Sequence, residues 1–113
     1  MTDVYGQGVK GEQMALELLK RKGYRLMAAR YRHGRGEIDL VMKHGTVFVF
    51  VEVKYRTTGV RGDGLLAVTK SKQSRLRSTA MWYAVQNGVS DALMRFDVIE
   101  ISPEGIIHVE NAF

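Results

Sequence analysis

The residues that could do chemistry stand where a β-strand should be apolar. The run Val47-Phe48-Val49-Phe50-Val51-Glu52-Val53-Lys54 is β-branched and aromatic almost throughout and reads as a central strand buried on both faces. Alternation sends Glu52 and Lys54 to one face, with Cα atoms about 6.5 Å apart. Asp39 lies on the preceding strand, and counting back from the turn at His44-Gly45 brings it opposite residues 51–52. Two carboxylates side by side repel, and burying them is costly unless a cation joins them. A hard divalent ion, Mg²⁺ or Mn²⁺, resolves that conflict. Lys54 would then set a positive charge where a phosphoryl oxyanion or an attacking hydroxide is stabilised. The same residues also have a plainer reading, with Glu52 and Lys54 as a strand-end ion pair or guards against edge pairing and Asp39 as a solvated residue.

Around this trio the sequence is basic. Lys70, Lys72 and Arg75, with Gln73 among them, surround the start of a helix, an arrangement suited to clamping phosphate. Arg30, Arg32, Arg35 and Arg56 extend the basic surface, each of them also explicable as a solvated charge. Other patterns lead nowhere. His33, His44 and His108 lack ligand spacing, and Ser71, Ser74 and Ser78 have no nucleophile-elbow context. Gly6-x-Gly8-x-x-Gly11 matches a dinucleotide fingerprint by letter, without the strand that should precede it. Trp82, beside Tyr83, reads as core packing rather than as a base-stacking platform.

The elements that must hold these residues follow from periodicity. Ala15, Leu18 and Leu19 form the apolar stripe of a first helix after Gly11, ended by Lys20-Arg21-Lys22-Gly23. Residues 24–31 read as a short strand leading into the loop His33-Gly34-Arg35-Gly36. In residues 37–42, Ile38, Leu40 and Met42 alternate with Glu37, Asp39 and Val41, giving a strand with one carboxylate-bearing face. Residues 57–65 form a glycine-rich loop, and Thr69 caps a helix over residues 70–86, closed by Asn87-Gly88. Residues 94–101 and 106–109 are strands about the turn Pro103-Glu104-Gly105. The order is α-β-β-β-α-β-β, an α/β (mixed α+β) domain around one sheet.

At 113 residues with 45% hydrophobic composition, the chain supports one domain with its own core, over residues 1–113. No cysteine is present, which excludes disulfides and thiolate metal sites. The apolar stretch of residues 47–51, like every other in the chain, is far short of the roughly 20 residues of a membrane span. No basic-then-apolar leader pattern opens the sequence, and the expectation is a cytoplasmic protein. Of the 17 basic residues 16 fall in residues 1–77, which hold seven acids; after that, Arg95 stands against five acids. So uneven a field suits polyanion binding.

Four blocks in order resemble a known family: Gly8-x-x-Gly11-Glu12-x-x-Ala15, Gly36-Glu37-Ile38-Asp39-Leu40, Phe50-Val51-Glu52-Val53-Lys54-x-Arg56 and Ala67-Val68-Thr69-x-x-Lys72-Gln73. Together they are similar to the YraN-like family of small bacterial endonuclease-like proteins, within the PD-(D/E)XK (restriction endonuclease-like, Holliday-junction-resolvase-like) superfamily. The resemblance covers essentially the whole chain and implies that superfamily's α-β-β-β-α-β core with a short extra terminal strand. It also implies Asp39 and Glu52 as metal ligands, with Lys54 positioning the attacking water. The Val53 carbonyl and Glu12, the latter matching a first-helix glutamate of archaeal Holliday-junction resolvases, would be further ligands. Without the resemblance, Glu12 is an ordinary first-turn acid, and Glu37 ranks below the other carboxylates. Gln73 or Lys72 would fill the helix position that related nucleases give to glutamine or lysine. Two departures stand out: Ile38 replaces the signature proline, and Arg77 stands where an exonuclease-type tyrosine would be.

The expectation is therefore a nucleic-acid-binding protein, hydrolysing phosphodiester bonds with Mg²⁺ or Mn²⁺, with DNA ahead of RNA as substrate and a homodimer as one arrangement. Two alternatives stay open. One is a non-catalytic nucleic-acid-binding or scaffold module that keeps the fold; the other is a subunit docking through its acidic C-terminal part.

Overall fold

The structure is a computed structural model that describes residues 4–57 and 62–113, with side chains from residue 10 onward. The expected order is present: α1 (Val4–Arg21), β1 (Arg25–His33), β2 (Gly36–His44), β3 (Val47–Tyr55), α2 (Asp63–Leu66), α3 (Lys70–Gln86), β4 (Leu93–Ser102) and β5 (Gly105–Val109). The strands form one mixed sheet in sequence order. β1, β2 and β3 pair antiparallel, β3 and β4 parallel through the α3 crossover, and β4 and β5 antiparallel. The mixed α+β fold read from the sequence is thus observed, with three departures. The short helix α2 lies within the 57–65 loop, of which residues 58–61 are outside the described residues. Gly11 does not precede the first helix but lies inside it, and so do the other glycines of the dinucleotide-like pattern. Trp82 is half exposed, not core.

Two apolar layers flank the sheet. On one side Ala15 and Leu19 of α1 pack on Leu40, Met42, Val49, Val51, Ile99 and Ile101. On the other Leu76, Ala80 and Tyr83 of α3 pack on Val41, Phe48, Phe50 and Val98. The strands are apolar on both faces because helices cover both. No helix among the described residues is long and apolar enough to cross a membrane.

α3 comes close to β2 at one point. A side chain at Gly36 would fall on Thr79 Oγ1, which donates to the Arg75 carbonyl at 2.8 Å. Glycine is needed there for approach. α3 itself starts where the sequence says, at Thr69, whose hydroxyl accepts the Lys72 N–H at 3.2 Å.

Candidate functional site

The first β2–β3 rungs are regular, with His44 opposite Val47 and Leu40 opposite Val51. Continuing that register places Asp39 opposite Glu52, but there the ladder is interrupted. The Val53 N–H donates instead to Asp39 Oδ2 at 2.7 Å. The carboxylate thus stands in the seam between two strands and takes a donor that a backbone carbonyl would otherwise satisfy. The same rung is distorted on the other side, where Arg30, opposite Asp39 in the β1–β2 register, has a φ of 51°. Strict alternation fails as a result. Leu40 and Met42 share a face toward α1, but Ile38 joins Val41 in the cluster under α3.

Glu52 points to the α3 side and is almost fully buried. Its Oε1 is approached by Lys54 Nζ at 3.4 Å and Lys72 Nζ at 3.2 Å. Burial and the charge of Glu52 push the Asp39 carboxyl up to about 7, against the pull of the Val53 N–H; the charge of Glu12 adds to the rise. Burial, then the neighbouring Lys72, lowers the Lys54 pKa, in spite of the attraction of Glu52. Burial opposes the charge on Lys72 too, but its contacts with Lys54 and Glu52 outweigh that and raise its pKa. One lysine of the pair is therefore the easier to deprotonate, and it is Lys54.

Above the carboxylates opens a cavity of about 310 Å³, walled by Arg35, Glu37, Asp39, Glu52, Lys72 and Arg75. The lining thus carries three acids and three cations. Among the described residues no three His, Asp or Glu side chains gather as a ready cation site. Glu12, whose charge is felt at Asp39, is paired with the Arg30 guanidinium at 2.8 Å, and Glu37 lies 3.4 Å from Arg32.

The structure therefore brings together Asp39, Glu52, Lys54, Lys72, Arg35 and Arg75. It does not bring Gln73, whose amide turns back to the Val68 carbonyl at 3.1 Å, and Lys70 is exposed outside the cavity wall. Arg56 lies elsewhere too: its largely buried guanidinium pairs at 3.2 Å with Glu100, which also accepts the N–H groups of Gly62 and Gly64 at 2.8 and 2.6 Å. Its role here is to tie β3 to the loop ahead of α2. Sequence reading missed the doubly bridged Glu52, although the capping Thr69, which fixes Lys72 three residues on, was a usable signal. It had no signal for the second polar cluster, in which fully buried Asp97 binds Arg95 at 2.8 Å, His108 at 2.7 Å and the Asn111 N–H at 3.0 Å.

Comparison with known proteins agrees with the four sequence blocks. A protein from Geobacter metallireducens is 42% identical over 110 residues, covering 94% of this chain and 90% of its own length; it is named only as a UPF0102 protein. The UPF0102 protein YraN of Salmonella newport is 44% identical over 104 residues, 90% of this chain and 79% of that one. Among solved structures, a Ca²⁺ complex of SfsA from Pyrococcus furiosus aligns with a TM-score of 0.31 at 16% identity, over 96% of this chain and 64% of that one, too distant to inform the site. The model of the uncharacterised protein family UPF0102 matches residues 11–101. The chain belongs to the UPF0102 family, in which the YraN proteins fall.

Proposed function

We propose that the protein is a metal-dependent nuclease that binds nucleic acid, DNA in preference to RNA, in the cavity over Asp39 and Glu52. The observation that carries this reading is a carboxylate pair, Glu52 buried and Asp39 half-buried, facing a cavity that three cations line. The donor set fits a hard divalent ion: two oxygen ligands from adjacent strands, with Asp39 Oδ1 left over from the bond to Val53 and the pair's repulsion only partly relieved by the lysines at Glu52. Asp39 and Glu52 would hold Mg²⁺ or Mn²⁺. When bound, the ion supplies Lewis acidity toward a phosphoryl oxygen and a more acidic water.

The chain's own residues do the rest. Arg35 and Arg75 bind the phosphates on either side of the reacting one. Lys72 Nζ, kept charged, meets the negative charge that builds on the phosphoryl oxygens. Lys54 Nζ accepts the proton of the attacking water, a role that its lowered pKa favours. Glu52 holds both lysines in place.

One observation favours a second reading. Glu52 is already bridged by two cations, so a binding module without chemistry would also be balanced. A panel of single strands, duplexes, flaps and four-way junctions, with Mg²⁺ and Mn²⁺, separates the two. Nuclease action predicts cleavage by wild type, lost in Glu52→Ala and Lys54→Ala with the fold intact by circular dichroism. Cleavage unchanged in Glu52→Ala would refute it. Calorimetric titration of Mn²⁺ into wild type and Asp39→Asn adds a direct test, since a binding module takes up no ion.

A further inference from the structure

We infer that Trp82, braced by His33, is a stacking subsite for an unpaired nucleobase, reached along a groove from the Asp39–Glu52 cavity. This inference rests on the nucleic-acid reading of that cavity and specifies its substrate.

Trp82 is 47% exposed on α3, although indole is the largest apolar side chain available for a core. Its ring is held in place: the His33 imidazole, at the end of β1, stacks on it at 4.0 Å between centroids and 23° between planes. Helix and sheet thus fix one aromatic plate from two sides.

The plate adjoins the site. A second depression, bordered by His33, Arg35, Arg75, Ser78 and Trp82, shares Arg35, Gly36 and Arg75 with the cavity over the carboxylates. Past Trp82 the groove continues over Ser78, Met81 and Val85, an apolar surface on the same side of α3. Arg35 and Arg75 are exposed and, among the described residues, have no ion-pair partner.

Acidic pair, two free cations, aromatic plate and apolar shelf therefore follow one another along a single groove. A nucleic-acid strand has the matching sequence of groups: phosphates for the arginines, a base plane for the indole. Each base stacked on an aromatic side chain strengthens binding by about 5- to 150-fold. A duplex keeps its bases stacked on one another and offers no free face, so the plate selects an unpaired base. A second copy of this chain suits the groove less well, because it would bring the same arginines against each other.

Trp82 is the only tryptophan in the chain, so its fluorescence reads the subsite directly. The test titrates the full chain, in EDTA and in Ca²⁺, with a thymidine single strand, an abasic strand of equal length and charge, and a blunt duplex. Base stacking predicts quenching by the thymidine strand alone and about tenfold weaker binding of the abasic strand. Trp82→Ala should lose that factor for the thymidine strand without changing abasic affinity, and Trp82→Phe should keep most of it. Equal affinities in wild type and Trp82→Ala, or unquenched fluorescence at saturation, would overturn the inference. So would light scattering that shows a dimer broken by Trp82→Ala, which would give the plate to a second copy. Cleavage by wild type with a silent Trp82 would leave nuclease action standing and remove this subsite. Base-dependent quenching without cleavage would do the reverse.

Discussion

Asp39→Asn should make the protein more stable, and only above acidic pH. The native carboxyl titrates near 7 instead of 3.8, raised by burial and then by Glu52. Because the folded-state value is the higher one, the native state keeps a proton that the unfolded chain gives up. The stability this brings is fully present below pH 3.8 and is lost as pH rises through 7. A shift of that size corresponds to about 4 kcal/mol if Asp39 carried all of it. The repulsion belongs to the pair and the lysines at Glu52 relieve part of it, so about 2 kcal/mol is the expectation, or about 8 °C in Tm. Asparagine can still accept the Val53 N–H but carries no charge at any pH. Thermal melts followed by circular dichroism from pH 4 to 8.5 should show the two proteins alike near pH 4 and the variant ahead by a widening margin up to about pH 7.5. Mg²⁺ at pH 8 should raise the Tm of wild type and leave Asp39→Asn unmoved. A margin that does not vary with pH, or a variant less stable than wild type at pH 8, would refute the reasoning.

Two further predictions concern the scaffold. Gly36→Ala drives a methyl group into Thr79 and must shift α3 from β2, at a cost of about 1–3 kcal/mol in urea denaturation; Thr79→Ala in the same chain should recover part of it, whereas additive losses would disprove the contact. Asp97→Ala leaves the Arg95 guanidinium without its bidentate partner and should cost about 3 kcal/mol. Burial works against the Asp97 charge, but His108, Arg95 and the Asn111 N–H hold its pKa below the usual carboxylate range. Its contribution is therefore present above the ordinary aspartate value and lost as pH falls through the folded one, so the wild-type advantage over Asp97→Ala should shrink below pH 4.

Much of the fold could be read from local signals that need no knowledge of the rest of the chain. The glycines at 23, 34, 45 and 88 all have positive φ at element ends, and the Thr69 cap starts α3 where its hydroxyl predicts. The β2–β3 register followed from the turn, and with it the meeting of Asp39 and Glu52. What could not be read depends on tertiary contact. Alternation put Ile38 on one face with Leu40 and Met42, but at the rung of Arg30 and Asp39 the strand is distorted and Ile38 joins the cluster under α3 instead. Hydrophobicity assigned Trp82 to the core, but the core under α3 is filled by Leu76, Ala80 and Tyr83, and residue 82 falls on the outer side of the helix. Charge assigned Arg56 to the open surface, but Glu100, 44 residues away, draws it inward.

The bond from Val53 to Asp39 gives position 39 a structural duty besides the proposed one. The backbone requires an acceptor at 39 whether or not any reaction is run there. A lineage released from chemistry would still keep oxygen at this rung, drifting to asparagine well before alanine. An aspartate here therefore speaks for the architecture whether or not the proposed chemistry is run, and Lys54, which closes no gap in the ladder, still balances the buried charge of Glu52.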